Sequence, residues 1–169
     1  MAEQTFLREL EPEDGPALLE LLRGEAEAGR LAGDGDALTP EDVQLFILSA
    51  RLTAGDDYRA VCGGDGGFLG LIGLKDISPE RAEFCIALRP EGRGRGVARA
   101  AARALLEQAF ADPQGPERVF MYTRPDNGAT NGFNRAMGFR RQEPEADAPP
   151  ETRELNWYGI SRQDFRARP

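Results

Sequence analysis

The spacing of apolar positions changes several times along the chain, and each change predicts an element. Residues 4–9 (QTFLRE) read as a short strand, and Pro12 opens a helix whose Leu18, Leu19, Leu21 and Leu22 fall on one face. Gly24 to Asp36 is small and polar. A strong helix start follows, with Thr39 as N-cap, Pro40 at the first position and Glu41 and Asp42 in the first turn, and this helix should run to about Leu52. Tyr58–Cys62 and Phe68–Lys75 flank Gly63-Gly64-Asp65-Gly66-Gly67, which predicts a hairpin. Ala82–Leu88 is a further strand, stopped by Pro90, which cannot donate to a ladder. From Gly94 to Ala111, Val97, Ala101, Ala104, Leu105 and Ala109 repeat at helical spacing until Asp112-Pro113-Gln114-Gly115-Pro116 stops them. Arg118–Thr123 reads as a strand and Ala129–Met137 as a short helix. Phe139–Gln142 and Thr152–Ile160 form a closing strand pair around the proline-containing segment 143–151. The order β-α-α-β-β-β-α-β-α-β-β describes a mixed α/β (α+β) fold with about four helices, and the absence of a repeat or linker points to one domain over residues 1–169.

Composition narrows the chemistry. No stretch approaches the ~18 apolar residues of a membrane span, and the acidic N-terminus shows no secretory pattern, so no membrane partner and a cytoplasmic location are expected. Cys62 and Cys85 sit in apolar segments without metal-ligand spacing and read as buried, reduced thiols. A net charge of −8 argues against nucleic acid as a partner and suits a cationic or neutral substrate. The chain has no histidine, which removes Ser-His and Cys-His nucleophile pairs and most catalytic zinc sites, and no metal is expected. Any general base must then be a carboxylate, a tyrosine, an amine or water.

Residues 81–103 (RAEFCIALRPEGRGRGVARAAAR) run strand, glycine-rich turn and helix in immediate succession, an arrangement suited to an anion. Gly92, Gly94 and Gly96 let backbone amides converge on one point, at the positive end of the helix dipole. Five arginines (Arg89, Arg93, Arg95, Arg99, Arg103) stand here against one acid, Glu91. Cations at a helix N-terminus conflict with its dipole by about 0.3–1 kcal/mol each, and a bound polyanion would remove the conflict. A phosphate-binding P-loop is excluded because it needs Gly-Lys-Ser/Thr, and the only lysine is Lys75. A dinucleotide fingerprint read from Gly94 would place Arg99 at its third glycine, among strands that look antiparallel.

The hexapeptide Arg93-Gly94-Arg95-Gly96-Val97-Ala98 resembles the Arg/Gln-x-x-Gly-x-Gly/Ala pattern of the GNAT N-acetyltransferase superfamily, with the strand end Ile86-Ala87-Leu88-Arg89-Pro90 before it and an amphipathic helix behind it. Asn127-Gly128-Ala129-Thr130 and Met137-Gly138-Phe139 are similar to the family's second block, so the resemblance is most specific over residues 82–139. It implies a mixed, mostly antiparallel sheet splayed between strands 4 and 5, with acetyl-CoA as co-substrate. The backbone of Ile86, Ala87 and Leu88 would pair with pantetheine, and the loop Arg93, Gly94, Arg95, Gly96, Val97, Ala98 and Arg99 would hold the pyrophosphate. Asn127 would contact pantetheine or an ordered water, while its residue type equally suits a helix N-cap.

The same resemblance implies direct attack of an amine on the thioester, with no covalent enzyme intermediate. Glu83 is the first choice for general base, and its alternative is an ordinary strand carboxylate. Asn134 stands where many relatives carry a tyrosine acid, so Tyr122 and Tyr158 are the candidates to protonate the leaving thiolate. The acceptor would be a small-molecule or peptide amine, selected by residues 12–52 and 143–151. A non-catalytic acyl-CoA-binding or regulatory domain is the rival reading. The sequence allows a homodimer without requiring one.

Overall fold

The computed structural model describes residues 4–30 and 34–168; Leu31, Ala32 and Gly33 of the small, polar stretch lie outside the described residues. The strands are β1 (Phe6–Glu9), β2 (Asp57–Cys62), β3 (Phe68–Lys75), β4 (Arg81–Leu88), β5 (Arg118–Thr123), β6 (Arg140–Gln142) and β7 (Asn156–Ser161). The helices are α1 (Gly15–Glu27), α2 (Pro40–Leu52), α3 (Val97–Ala111), α4 (Gly128–Met137) and α5 (Arg162–Arg166). The described strands form one mixed sheet of order β1-β2-β3-β4-β5-β7-β6. The registers β1/β2, β2/β3, β5/β7 and β6/β7 are antiparallel and β4/β5 is parallel. A parallel neighbour requires a crossover, and α3 makes it.

Contacts gather into two compact units, one of residues up to Lys75 with Cys85–Leu105, the other of Asp76–Phe84 with the chain from Leu106 on. In the first, Leu10, Leu18, Leu21, Val43, Ile47, Ala60, Cys62 and Leu71 form a buried cluster under α1 and α2. Helix α2 starts as its sequence dictates. The Thr39 hydroxyl accepts from the Asp42 N–H at 3.1 Å, and the Thr39 N–H donates to the Asp42 carboxylate at 2.9 Å, two orphan donors satisfied together. Between β1 and α1, the buried Asp14 carboxylate accepts two hydrogen bonds from Arg8, both at 2.8 Å, and one from the Glu11 N–H at 2.9 Å. Burial pushes its carboxyl up, but these donors outweigh burial and hold it below the usual range.

In the second unit, Phe120 stacks on Trp157 with ring centroids 5.6 Å apart, and Ala148 is buried with them. The Arg81 guanidinium lies over the Phe120 ring and also pairs with Asp147. Arg118 pairs with Glu145, and that hydrogen bond, against a burial penalty, holds the Glu145 carboxyl below its ordinary range. The segment 143–151, read from sequence as a spacer between strands and a determinant of acceptor choice, is therefore fastened to β4 and β5 by charge.

Several elements differ from the sequence reading; the first helix, expected to open at Pro12, begins at Gly15 after a 3-10 turn at Pro12–Asp14. Helix α3 begins at Val97 rather than Gly94, because Gly94 and Gly96 adopt φ of +73° and +78°, outside any right-handed helix. Strand β7 begins at Asn156 rather than Thr152, since Pro150–Thr152 makes a 3-10 turn. Helix α5 had no expected counterpart. Five residues carry too little periodicity to show, although its cap is readable afterwards: the Ser161 hydroxyl accepts from the Asp164 N–H at 3.0 Å.

Candidate functional site

In the first unit, the site residues lie where β4 hands the chain to α3. The half-buried Ile86, Ala87 and Leu88 end the strand, and the Arg89 N–H donates to the Leu69 carbonyl at 2.8 Å. A 3-10 turn at Pro90–Gly92 follows, with Gly92 buried. Gly94 and Gly96 then turn the backbone left-handed. A Cβ built at either meets no atom within 4 Å, so backbone angle, not crowding, calls for glycine there, and the space beside the turn is open. Val97, 1% exposed, pins the start of α3 to the core, and the first helical bond runs from the Ala100 N–H to the Gly96 carbonyl at 3.1 Å. The amides of that first turn have no partner within the helix. This geometry suits a pyrophosphate: short backbone donors, a helix N-terminus and room for an anion to approach.

The arginines of this segment are less uncompensated than their sequence neighbours suggest. The Arg89 guanidinium lies 3.3 Å from Glu20 and 3.5 Å from Glu91, and Arg93 lies 3.2 Å from Glu25 while its Nε donates to the Leu88 carbonyl at 3.0 Å. Glu20 and Glu25 belong to α1, so acids remote in sequence balance these two cations. They border a cavity of about 580 Å³ shared with Leu19, Arg30 and Pro90. Arg95 donates to the Glu91 carbonyl, and Arg99 and Arg103 are exposed along α3.

In the second unit, Glu83 lies on β4 in register with Phe120, half-buried between the buried Ala82 and Phe84. Strand alternation sends it to the face opposite those two. Tyr122 is half-buried, its ring 4.8 Å from that of Trp157. Tyr158 is 1% exposed, and its hydroxyl donates to Asn131 Oδ1 at 2.6 Å. Asn127 caps α4 by accepting from the Thr130 N–H at 3.2 Å, the cap role its residue type suited.

Sequence reasoning passed over Asn131, the hub of this region. Its Oδ1 accepts from Tyr158 and from Asn156 Nδ2 at 3.0 Å, and its Nδ2 donates to the carbonyls of Arg124 at 3.0 Å and Asn127 at 2.7 Å. The available signal was weak: an asparagine inside a helical pattern, where the residue is disfavoured unless bonded. One turn on, Asn134 is fully buried, and neither atom of its amide has a hydrogen-bond partner among the described residues. Among the described residues, no cluster of three or more metal-ligating side chains is present, and no helix is long and apolar enough to cross a membrane.

Comparison with known proteins places these features in a family. The model of the acetyltransferase (GNAT) domain matches residues 4–140, a span that includes the glycine turn, β5 and α4. A spermidine N-acetyltransferase from Vibrio cholerae, solved with CoA and spermine, is similar over 96% of this chain and 98% of its own, with a TM-score of 0.78 and 17% identity. A GNAT-family acetyltransferase from Bacillus anthracis covers 96% of this chain and 98% of its own at 0.76 and 22% identity. The PaiA N-acetyltransferase from Thermoplasma acidophilum, solved with coenzyme A, covers 94% and 99% at 0.71 and 15%. At these identities the structural likenesses speak for the fold, whereas the family match spans most of the chain. The chain belongs to the GNAT acetyltransferase family and is an acyltransferase dependent on acetyl-CoA.

Proposed function

We propose that the protein, acting as a single domain over residues 1–169, transfers the acetyl group of acetyl-CoA to a primary amine by direct attack within a ternary complex. The observation that carries this reading is the turn at Gly94 and Gly96, left-handed, open and set at the N-terminus of α3 inside the family match. Its backbone amides, with those of Val97, Ala98 and Arg99, would bind the pyrophosphate, and Arg93 and Arg95 would flank it. The β4 backbone at Ile86, Ala87 and Leu88 would pair with pantetheine as an added strand does.

Glu83 is assigned as general base, either directly or through water, because an amine attacks only when neutral and the chain offers no histidine. Tyr122 and Tyr158 are assigned as hydroxyl donors to the leaving thiolate. The Tyr158 proton is committed to Asn131, which favours Tyr122 of the two. Asn127, already the cap of α4, retains an Nδ2 donor for pantetheine or a water. The acceptor is a small-molecule or peptide amine; the net charge of −8 favours a cation. The setting is the cytoplasm, the compartment in which thiols such as Cys62 and Cys85 stay reduced.

The test is a thermal melt with and without acetyl-CoA, followed by an amine screen that reads thiol release. A ligand that binds only the native state raises the melting temperature by mass action. No shift at millimolar acetyl-CoA would overturn the cofactor assignment. Asn134, an amide where relatives carry an acid, favours one second reading, a non-catalytic acyl-CoA-binding module. A melting shift without thiol release from any amine class would select it.

A further inference from the structure

Helix α2 carries two apolar faces, and the fold uses one. Val43 and Ile47 are each 1% exposed, and Phe46 and Ala50 pack partly against the same cluster. On the other side Leu45 is 65% exposed, Leu48 54% and Leu52 75%. Scattered exposed apolar residues need no explanation, but among the described residues three of the four large exposed hydrophobics, with Phe6 the fourth, lie on this one stripe. With Glu41 they fall at intervals of four, three and four residues, the a/d seam by which one helix packs along another.

We propose that this face is the dimerisation surface for a second copy of the chain, with the two α2 helices packed antiparallel. The ends of the seam select that occupant. Acids, Glu41 and Asp42, occupy the first turn, and Arg51 occupies the last. An antiparallel pair sets Glu41 beside Leu52 and Arg51 of the partner subunit, opposes the helix dipoles and brings unlike charges together twice. A parallel pair would set Glu41 against its own copy. Arg51 is free to serve, since its existing contact with Glu9 is long, 3.9 Å, between side chains 46% and 73% exposed. The two-fold arrangement is self-complementary, as an isologous interface must be. A helix of 13 residues is only about 20 Å long, so the patch falls short of the ~800 Å² per partner of a standard interface, and the dimer is weak and concentration-dependent.

Sedimentation of the whole chain from low micromolar to near-millimolar concentration tests the proposal. A reversible monomer–dimer equilibrium is expected in the unaltered protein. Leu48→Glu, at the centre of the seam, should leave the protein monomeric throughout, with unchanged circular dichroism because the side chain is outside the core. Leu45→Lys is the independent second variant. Glu41→Arg and Arg51→Glu should each weaken association by about tenfold, and the double exchange should restore it. A monomer at the highest concentration overturns the proposal, as does a dimer that Leu48→Glu and Leu45→Lys leave intact. A dimer broken by both leucine variants but not rescued by the double exchange overturns the antiparallel arrangement.

Discussion

The turn at Gly94 and Gly96 and the asparagine-rich region of α4 and β7 are built by opposite means. The turn works through backbone. Two glycines at positive φ leave open space, with no described atom within 4 Å of where a Cβ would stand, and the first amides of α3 need no residue identity beyond that freedom. The α4 region works through side chains: Asn131 alone ties together Tyr158, Asn156 and the backbone at Arg124 and Asn127. The first region should tolerate changes that keep its backbone angles and fail when a group enters the open space. The second should fail when one amide is lost, because the Tyr158 hydroxyl is too buried to turn to water.

The largest expected effect tests whether binding and chemistry divide between residues in this way. Glu83→Gln should keep acetyl-CoA affinity by calorimetry and lower turnover by about 10²–10⁴-fold, the usual size of a general-base contribution. Full activity would remove Glu83 as base. In the same assay the Phe variants of Tyr122 and Tyr158 separate assisted from unassisted thiolate departure; full activity in both leaves positioning and oxyanion stabilisation as the main catalytic terms.

Next in size is the loss of the hub. Asn131→Leu leaves the Tyr158 hydroxyl, 1% exposed, without its acceptor and takes from the carbonyls of Arg124 and Asn127 the side-chain donor that adds to their backbone bonds. Denaturant unfolding should show a loss of about 2–4 kcal/mol. An unchanged midpoint would mean that the network is ornamental to stability.

Gly96→Asp puts a side chain and a negative charge into the open space beside the turn. Aspartate tolerates a left-handed backbone better than most residues, so folding should suffer little. Affinity for acetyl-CoA should fall by about tenfold or more. A folded variant with unchanged affinity would show that the turn is not the phosphate site.

The same contrast explains what could be read from the sequence. The turn was legible because glycine spacing is a statement about backbone, and backbone obeys local rules; so were the cap of α2 at Thr39 and the hairpin around Asp65. The onset of α3 was misplaced for the same reason, since apolar periodicity ran on through glycines whose angles it cannot report. The partners of Arg89 and Arg93 were hidden because Glu20 and Glu25 are remote in sequence and meet them only through the fold. Asn131 and the fastening of segment 143–151 were hidden likewise. Their bonds span 25 to 27 residues in the cases of Asn156, Tyr158 and Glu145, and no local pattern encodes such a pairing.

The smallest expected effect falls on the neighbour of the hub and has the opposite sign. Asn134 sits one turn beyond Asn131 with 0% exposure and an amide that bonds to nothing among the described residues. A buried polar group without partners carries its full desolvation cost, so replacing it by an apolar group of similar shape should remove that cost without orphaning anything else. Asn134→Leu should therefore stabilise the ligand-free protein by about 1 kcal/mol, read as a higher unfolding midpoint, where the same substitution at Asn131 lowers it. Turnover should change little, because an amide cannot act as the acid that the position supplies in relatives. A lower midpoint would show that the Asn134 amide does stabilise the ligand-free fold, and would overturn the contrast between the two asparagines.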